Sequence, residues 1–471
     1  MVPYTDSEKS TMSETSRPMA GQRQTSVAGR PTPLVIRSAI VAALGGLLFG
    51  FDTAVISGTT EALTREWSLS AGELGFTVSS ALLGTFIGAI VGARPADKYG
   101  RKPVLIAIAL LYLVSAVGTA LATDWYFFLV LRMLGGIAVG ASSVIAPLYT
   151  AEISPPRYRG RLVAMVQFNI VIGIVVAYLS NWLVVRTITD DTAWRWMLGL
   201  EALPAILFMV LMFTIPESPR WLYTRGRRSE ARSVLVRLSG PVEAEQTETE
   251  IRRALEQRSA RASTAKFFAK GNYRRIGLAV AIAVFSQVAG TNAVLYYAPS
   301  LLGTAGIEGD GPFLASIFVG ITNVVFTALG MALIDRIGRR PLVTIGASVD
   351  LAALLFVASV FYFNDGALSP ATGIAVLIAI MFFIAGLAMG IGSVLWVFIA
   401  EIFPIEHRAK GQSVGALSHW LASAAVSGFF PVMSQISMTA TFLFYAACMA
   451  ALLVWARKVM PETKGVALED V

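Results

Sequence analysis

The chain has 471 residues, of which 55% are hydrophobic and only 14% charged, and its mean hydropathy is +0.66. Soluble globular domains are about 25% charged, so the composition excludes an ordinary soluble protein and indicates one that crosses a membrane several times. The formal net charge is +8. In a membrane protein such an excess is explained first by basic cytoplasmic loops, not by nucleic-acid binding.

Cysteine and histidine are too scarce for a disulfide framework or a metal site. Cys448 is the single cysteine, and the two histidines, His407 and His419, stand in no metal-binding spacing. The sequence also lacks a nucleotide-phosphate loop and a catalytic Ser/His/Asp pattern. We therefore expect neither a metal nor another cofactor, and we do not expect an enzyme.

Residues 1–36 are rich in Ser, Thr, Arg and Pro and lack the apolar core of a signal peptide. They are predicted to form a disordered cytoplasmic tail. A spanning helix needs about 20 mostly apolar residues. Twelve such runs follow, approximately at 37–59, 74–94, 103–122, 126–149, 162–185, 194–215, 276–302, 312–334, 341–363, 371–402, 411–435 and 438–457.

These runs predict an all-α membrane protein with two six-helix bundles, at 37–216 and 276–459. The linker 217–275 is predicted to contain two surface helices, at 229–238 and 243–261, and residues 460–471 form a second tail. Loops that contain Arg94–Lys102, Arg157–Arg161, Arg336–Arg340 and Arg408–Lys410 are basic, whereas the alternate loops are acidic. The positive-inside rule then puts both termini in the cytoplasm of a cell (inner) membrane protein.

An acid interrupts the first apolar run. Asp52 lies within GGLLFGFDTAVISG, with apolar residues on both sides. A carboxylate at membrane depth costs roughly 2.5–3.5 kcal/mol on insertion scales, and usually marks a proton or ion path. The alternative is an acid at a helix end that reaches the membrane interface. We favour the proton or ion path.

The two halves repeat each other. DKYGRKP at 97–103 matches DRIGRRP at 335–341, the EISP motif at 152–155 matches EIFP at 401–404, and PES at 216–218 matches PET at 461–463. Three motifs that recur in one order indicate an internal duplication. The motifs bring Arg and Glu to the cytoplasmic ends of the spans, as two charge clusters: Arg101, Glu152, Arg159 and Glu217 in the first, and Arg339, Glu401, Arg408 and Glu462 in the second.

We expect ion pairs of these clusters to connect the ends of the two halves as a latch that opens with the cytoplasmic side. The alternative is charge that sets topology and has no further role. Substitution of Gln for Glu152 or Glu401 should then favour inward-facing states.

Several motifs of the chain together resemble those of a known protein family. GGLLFGFD, DKYGRKP, PESPRWL, NAVLYYAP and PETKG resemble, in combination, the sugar porter family of the major facilitator superfamily, from about Ser38 to Glu462. The resemblance implies twelve helices in two bundles and one monosaccharide bound between them near mid-membrane, with alternating access. The expected partners are therefore a monosaccharide, a proton and the lipid bilayer, and the expected functional unit is a monomer.

The resemblance also implies proton-coupling residues. In proton-coupled members an acid matching Asp52 lies near an arginine matching Arg132, and an acid matching Glu201 completes the group. Facilitative members have Asn in place of the first acid, so Asp52 and Glu201 together favour symport. Two acids around one arginine hold a net charge of zero with one proton bound and −1 without it. A purely structural buried network is the alternative.

A sugar site needs amides, which both donate and accept, and an aromatic face. The positions that match sugar-contacting residues of the family are Phe49, Gln167, Ser286, Gln287, Asn292, Asn323, Trp396, His419 and Trp420. Gln287 and Asn292 are five residues apart, and Gly290 permits the helix break that the family has there. Tyr296 and Tyr297 are predicted to close the outer gate. For a single amide, the contact between two helices is the alternative role.

Three positions depart from the family pattern. Ser286 replaces the first of two adjacent glutamines, Ile174 stands where some members have Gln, and His419 stands where Gln or Asn is common. These departures leave the identity of the sugar open.

A secondary transporter fits every motif, with proton-coupled symport as the prediction and facilitated diffusion (uniport) as the runner-up. A transporter-like sugar sensor would share the pocket, but the short tail after Pro461 disfavours a signalling role.

Overall fold

The computed structural model describes residues 31–260, 267–268, 272–364, 369–404 and 407–465, with the backbone alone for 254–260. Among these residues, twelve helices are long and apolar enough to cross a membrane. In chain order, which numbers spans 1–12, they are Pro33–Gly58, Ala71–Val91, Arg101–Leu121, Trp125–Ile153, Arg159–Thr187, Ala193–Met212, Tyr273–Tyr296, Gly311–Ile337, Arg339–Phe363, Pro370–Ile402, Arg408–Ile436 and Met438–Lys458. The predicted fold class is confirmed.

Four spans are interrupted. Span 1 is an α-helix over Pro33–Val55 that ends in a 3₁₀ turn at Ile56–Gly58, and span 6 divides into Ala193–Gly199 and Ala202–Met212. Span 7 comprises Tyr273–Val288 and Thr291–Tyr296, and the chain continues as a helix over Ala298–Thr304. Span 10 comprises Pro370–Leu387, a π-helical turn at Ala388–Gly392, and Ser393–Ile402. Irregular backbone at membrane depth is tolerated where protein or a water-filled cavity surrounds it.

In the described part of the chain, five further helices lie between the spans: Thr60–Trp67, Ala93–Tyr99, Pro219–Thr224, Arg228–Ser239 and Pro241–Ala260. The last two agree with the predicted linker helices, although Arg261 lies outside the described residues. The predicted tails lie mostly outside them too, since residues 1–30 and 466–471 are not described. Span 1 begins at Pro33, earlier than the sequence predicts, because Thr32 caps its first turn through the backbone N–H of Val35.

Glycines set the closest helix contacts. A side chain on Gly50 of span 1 would collide with the backbone oxygen of Ile170 in span 5, and one on Gly173 with the oxygen of Leu47. Without a hydrophobic driving force between helices in lipid, such close backbone packing supplies much of the association energy. Spans 1 and 5 are thereby held as one unit.

The packing repeats in the two halves. Span 1 packs on span 5, span 2 on span 4 and span 3 on span 6; in the second half, span 7 packs on span 11, span 8 on span 10 and span 9 on span 12. Between the halves, span 2 contacts span 11 and span 5 contacts span 8. The duplication inferred from the motifs thus extends to the helix contacts.

The halves meet at the predicted extracellular end and separate at the cytoplasmic end. One hydrophobic cluster joins both halves, and its first-half members, such as Val55, Leu63 and Trp194, lie toward the extracellular ends of the spans. A second cluster is formed mainly by spans 1, 3, 4, 5 and 6, and its described members all precede span 7. The hydrophobic contacts between the halves therefore lie toward the predicted extracellular end.

Candidate functional site

Asp52 and Arg132 form a buried ion pair. Arg132 Nη1 lies 2.6 Å from Asp52 Oδ1, and the two side chains are 1% and 5% exposed. Span 4 begins at Trp125, so Arg132 stands about 10 Å along the helix, well inside the membrane. Its Nε and Nη2 have no hydrogen-bond partner among the described residues. The guanidinium therefore keeps donors free beside Asp52.

Glu201 lies beside the Asp52–Arg132 ion pair without a hydrogen bond to either residue. The residue is 2% exposed, at the break in span 6, and its charge interacts with those of both Asp52 and Arg132. Within the described ranges, no ion pair or hydrogen bond joins the Glu201 side chain to another residue. Glu201 therefore stands beside the pair as an alternative partner for Arg132, and the predicted three-residue group is brought together.

The break in span 7 organises the polar side of the cavity. Gly290 has φ of +88°, the left-handed conformation that favours glycine, and its Cα faces the ring of Tyr445. The break places Asn292 Nδ2 2.8 Å from Gln287 Oε1, a contact that a regular helix does not permit at this spacing. The predicted role of Gly290 is confirmed.

A chain of hydrogen bonds links Asn292 through Gln287 to His419. Asn292 Nδ2 donates to Gln287 Oε1 and, at 2.5 Å, to Ser423 Oγ. Gln287 therefore turns its Nε2 toward His419 Nδ1, at 3.1 Å. Gln287 Nε2 also lies 3.3 Å from His419 Nε2, so both ring nitrogens of His419 face this amide.

Ser286 supports this arrangement. Its hydroxyl donates to the backbone oxygen of Ala283 at 2.7 Å and accepts from Gln287 Nε2 at 3.2 Å. Ser286 Oγ also lies 3.2 Å from His419 Nδ1. The two departures from the family pattern, Ser286 and His419, are thus in contact with each other. Asn292 Oδ1 is an acceptor that can serve a ligand.

Aromatic rings surround this network. The ring of His419 lies 5.3 Å from that of Trp396 and 4.8 Å from that of Trp420, between centroids. Trp420 lies 5.5 Å from Phe49 of span 1. Since Phe49 belongs to the first half and Trp420 to the second, this contact brings an aromatic face from each half to the polar network.

Two predicted amides lie outside the network in this conformation. Gln167 in span 5 is exposed, and Asn323 in span 8 is half-buried and accepts a hydrogen bond from Thr327 Oγ1 at 3.2 Å. Gln167 lies in the cytoplasmic half of its span, where the two halves are apart.

The predicted gate residues are buried. Tyr296 and Tyr297 are 4% and 3% exposed, and the hydroxyl of Tyr297 donates to the backbone oxygen of Ser427 at 3.2 Å. The ring of Tyr297 packs on Phe430 at 4.9 Å. Both tyrosines lie on the closed, extracellular side of the polar network.

Each charge cluster forms within its own half. In the first, Arg101 holds Glu152 through two nitrogens, each at 2.9 Å, and Glu217 accepts the backbone N–H of Arg101 at 3.0 Å. In the second, Arg339 holds Glu401 at 2.7 and 3.0 Å, and Glu462 accepts the backbone N–H of Arg339 at 3.0 Å. The glutamates Glu217 and Glu462 thereby cap spans 3 and 9.

The two capping glutamates differ in environment. Burial raises the pKa of the Glu217 carboxyl, although several backbone N–H groups and Arg101 oppose that effect. Glu462 is less buried, and its burial is outweighed by backbone N–H groups that lower the pKa of its carboxyl.

Arg159 and Arg408 do not join these clusters, contrary to the prediction. Arg159 is exposed, Arg408 is half-buried, and neither forms an ion pair with a described residue. Arg159 begins span 5 and Arg408 begins span 11. In the described part of the chain, no ion pair joins one cluster to the other, so the predicted latch is not formed in this conformation.

Sequence patterns missed two polar residues. Ser423, one turn after His419, holds Asn292 as described above. Asp350 in span 9 is 1% exposed. An acid inside the apolar run 341–363 is the same signal that singled out Asp52, and it identifies Asp350 as well.

The fold and the site define a polytopic membrane transporter, with two repeated halves around a cavity that carries a charged group on one side and a polar, aromatic network on the other. A family model described as "Sugar (and other) transporter" matches residues 38–471. The chain belongs to this sugar transporter family.

Named relatives agree in sequence and structure. The D-xylose-proton symporter of Escherichia coli (strain K12) is 37% identical, over 92% of this chain and 94% of that protein. The arabinose-proton symporter of Bacillus subtilis (strain 168) is 32% identical, over 93% and 94%. The inward open conformation of the xylose transporter from E. coli superposes with a TM-score of 0.81 at 34% identity, over 93% of this chain and 98% of that one.

Proposed function

We propose that this protein is a proton-coupled monosaccharide symporter that works by alternating access. The observation that carries the proposal is the buried Asp52–Arg132 pair with Glu201 beside it. A carboxyl that exchanges a proton for an arginine contact changes the net charge of this group between zero and −1, while Arg132 keeps a counter-charge. The two relatives described above are named as proton symporters of pentoses, which supports the same function here.

In this mechanism Asp52 is the proton site. Protonation of Asp52 weakens its contact with Arg132, and the free donors of Arg132 then turn to Glu201. Deprotonation restores the pair that the structure contains. Because Glu201 remains charged while Asp52 is neutral, Arg132 keeps one counter-charge in both states.

The sugar site lies mainly in the second half. Gln287, Asn292 and His419 supply directed donors and acceptors, and Trp396, Trp420 and Phe49 supply the aromatic faces that suit the C–H surface of a sugar. Gln167 and Asn323 are proposed to approach the sugar when the cytoplasmic side closes. Proton and sugar therefore bind in different halves, and the movement of the halves couples them.

The basic loops support a cytoplasmic location for both termini in a cell membrane. Under this orientation the cavity of the structure is inward-facing, and the buried Tyr296 and Tyr297 belong to the closed outer gate. We also propose that one chain is the functional unit, since each chain contains both the proton group and the sugar network.

Uptake by purified protein in proteoliposomes tests the function. With a pH gradient imposed, acid outside, radiolabelled xylose or another monosaccharide should accumulate above its external concentration, and the accumulation should stop when a protonophore removes the gradient. Equilibration without accumulation under the gradient would instead indicate a facilitative carrier. A panel of pentoses and hexoses, used as competitors, defines the substrate.

A further inference from the structure

Asp350 is a buried acid without a counter-charge. It lies eleven residues after the start of span 9 at Arg339, which is about 16 Å along the helix and hence near mid-membrane. Its Oδ1 has no hydrogen-bond partner among the described residues, and no described cation lies within ion-pair distance. The proton group at Asp52 uses other helices, so the symport mechanism does not account for Asp350.

The backbone of span 10 surrounds the carboxyl of Asp350. Gly346 stands one turn before Asp350, and a side chain on Gly346 would collide with the backbone oxygen of Gly386 in span 10. A side chain on Gly386 would in turn collide with Asp350 Oδ1. The backbone N–H of Leu387 interacts with the carboxyl. Asp350 therefore lies within the close contact between spans 9 and 10.

That crossing adjoins the irregular turn of span 10. The π-helical turn over Ala388–Gly392 follows Leu387 directly, and Gly390 within it has non-helical angles, φ −83° and ψ −107°. Ser393 Oγ closes the turn by donating to the oxygen of Ala388 at 2.7 Å. Trp396, whose ring faces His419 in the sugar network, lies on the next helical turn. The position of the irregular turn therefore sets the position of Trp396.

We propose that Asp350 holds a resident proton and, as a neutral acid, fixes the irregular turn of span 10 and through it the sugar-site residue Trp396. An unpaired carboxylate at this depth costs several kcal/mol, and protonation removes that cost. A metal cation is a poor alternative, because the carboxyl oxygen is packed against Gly386 and leaves no space for a coordination shell. Since Asp350 is 1% exposed and its carboxyl is packed against Gly386, its proton stays in place and is not the transported one.

The first test is infrared spectroscopy on the purified protein, which needs no transport activity. The difference spectrum between the unmodified protein and the Asp350→Asn variant should contain the C=O stretching band of a protonated carboxylic acid, with a shift in D₂O. Asp191→Asn is the matched control, because the side chain of Asp191 is exposed, and it should remove carboxylate bands only. Carboxylate bands in the Asp350→Asn difference would overturn the proposal.

The second test rests on the proposed sugar transport. Asp350→Asn keeps the size and the polarity of the neutral acid, so it should retain concentrative uptake and an unchanged KM. Asp350→Leu removes the polar contact with Leu387 and should raise KM about fivefold, the value of one hydrogen bond, with kcat largely kept. Gly386→Ala, which displaces the carboxyl, should raise KM in the same direction.

The outcomes separate the two proposals. Loss of accumulation in Asp350→Asn would show that the Asp350 proton is transported, and an unchanged KM in both Asp350→Leu and Gly386→Ala would exclude the positioning role. Absence of sugar transport by the unmodified protein would refute the proposed function and leave the infrared result valid.

Discussion

Arg132 holds Asp52 through Nη1 alone, at 2.6 Å, and its Nε and Nη2 find no partner in the described part of the chain. A structural ion pair of an arginine and a carboxylate is commonly bidentate, as Arg101 and Glu152 are in this protein. The single contact leaves Arg132 able to bind a second carboxylate without first releasing Asp52. Glu201 is the second acid that interacts with it.

The first prediction concerns Asp52→Asn. The amide cannot carry a proton through the cycle, so accumulation driven by a pH gradient should be lost and sugar should only equilibrate across the membrane. Exchange of internal for external labelled sugar should continue, because exchange needs no net proton movement. Counterflow and gradient-driven uptake in the same proteoliposomes measure the two activities.

The control for Asp52→Asn is Asp191→Asn, which removes an exposed acid of the same type and should leave both activities intact. Full concentrative uptake by Asp52→Asn would contradict the assignment of the proton site.

The second prediction concerns the stability of the buried group. Arg132 retains one counter-charge in Asp52→Asn and in Glu201→Gln, but none in the double variant. Breaking a buried ion pair by removing one partner costs about 3–5 kcal/mol, so the double variant should be destabilised by more than the sum of the single changes. Thermal unfolding of the four proteins in one detergent measures this coupling. Additive losses of stability would mean that Glu201 does not act as a counter-charge for Arg132.

Much of the fold follows from the sequence, because the bilayer imposes length and polarity on every span. The twelve apolar runs were predictable on that basis. The duplication was predicted from the repeated motifs, and the break at Gly290 from the family resemblance. The contact of Asp52 with Arg132 was expected from the family resemblance. Composition and spacing alone do not specify it, since Arg132 is 80 residues from Asp52 and the approach depends on how spans 1 and 4 pack.

Other features depend on packing or on conformation. The irregular turn at Ala388–Gly392 has no sequence signature beyond its glycines, and the role of Ser423 depends on the rotation of span 11 toward span 7. The latch could not be located in this structure because its predicted pairs connect halves that are apart here. The sequence alone does not specify which conformation of a transporter a structure contains.

The third prediction concerns the latch, which remains a proposal. Glu152 and Glu401 each pair within one half in this structure, so a contact between the halves should exist only when the cytoplasmic side is closed. Glu152→Gln or Glu401→Gln should weaken the closed state and increase the inward-facing population. Pulsed electron paramagnetic resonance between spin labels on the cytoplasmic ends of spans 4 and 10 measures this shift. Unchanged distance distributions in both variants would show that the clusters only stabilise their own halves.

The fourth prediction concerns Gly290. Alanine at this position meets a left-handed backbone, which costs about 1–2 kcal/mol, and its Cβ would lie 2.9 Å from the ring of Tyr445. Gly290→Ala should therefore lower the melting temperature and displace Asn292 from Gln287, with a higher KM for sugar. Gly277→Ala in the same span is the matched control, since an added Cβ there has open space. Equal behaviour of the two variants would contradict the importance of the break.

The last prediction tests the closed extracellular side. Thr60 Oγ1 in the first half lies 3.1 Å from Ser300 Oγ in the second, near the outer ends of spans 1 and 7. Sulfur atoms of a disulfide are about 2.05 Å apart, so cysteines at these two positions need only a small approach to be linked. In a background with Cys448→Ser, oxidation of Thr60→Cys/Ser300→Cys should therefore form the bond and hold the protein inward-facing. Transport should stop and recover with a reductant, whereas the two single-cysteine variants should be insensitive to oxidation. Transport that continues in fully cross-linked protein would show that these ends do not need to separate during the cycle.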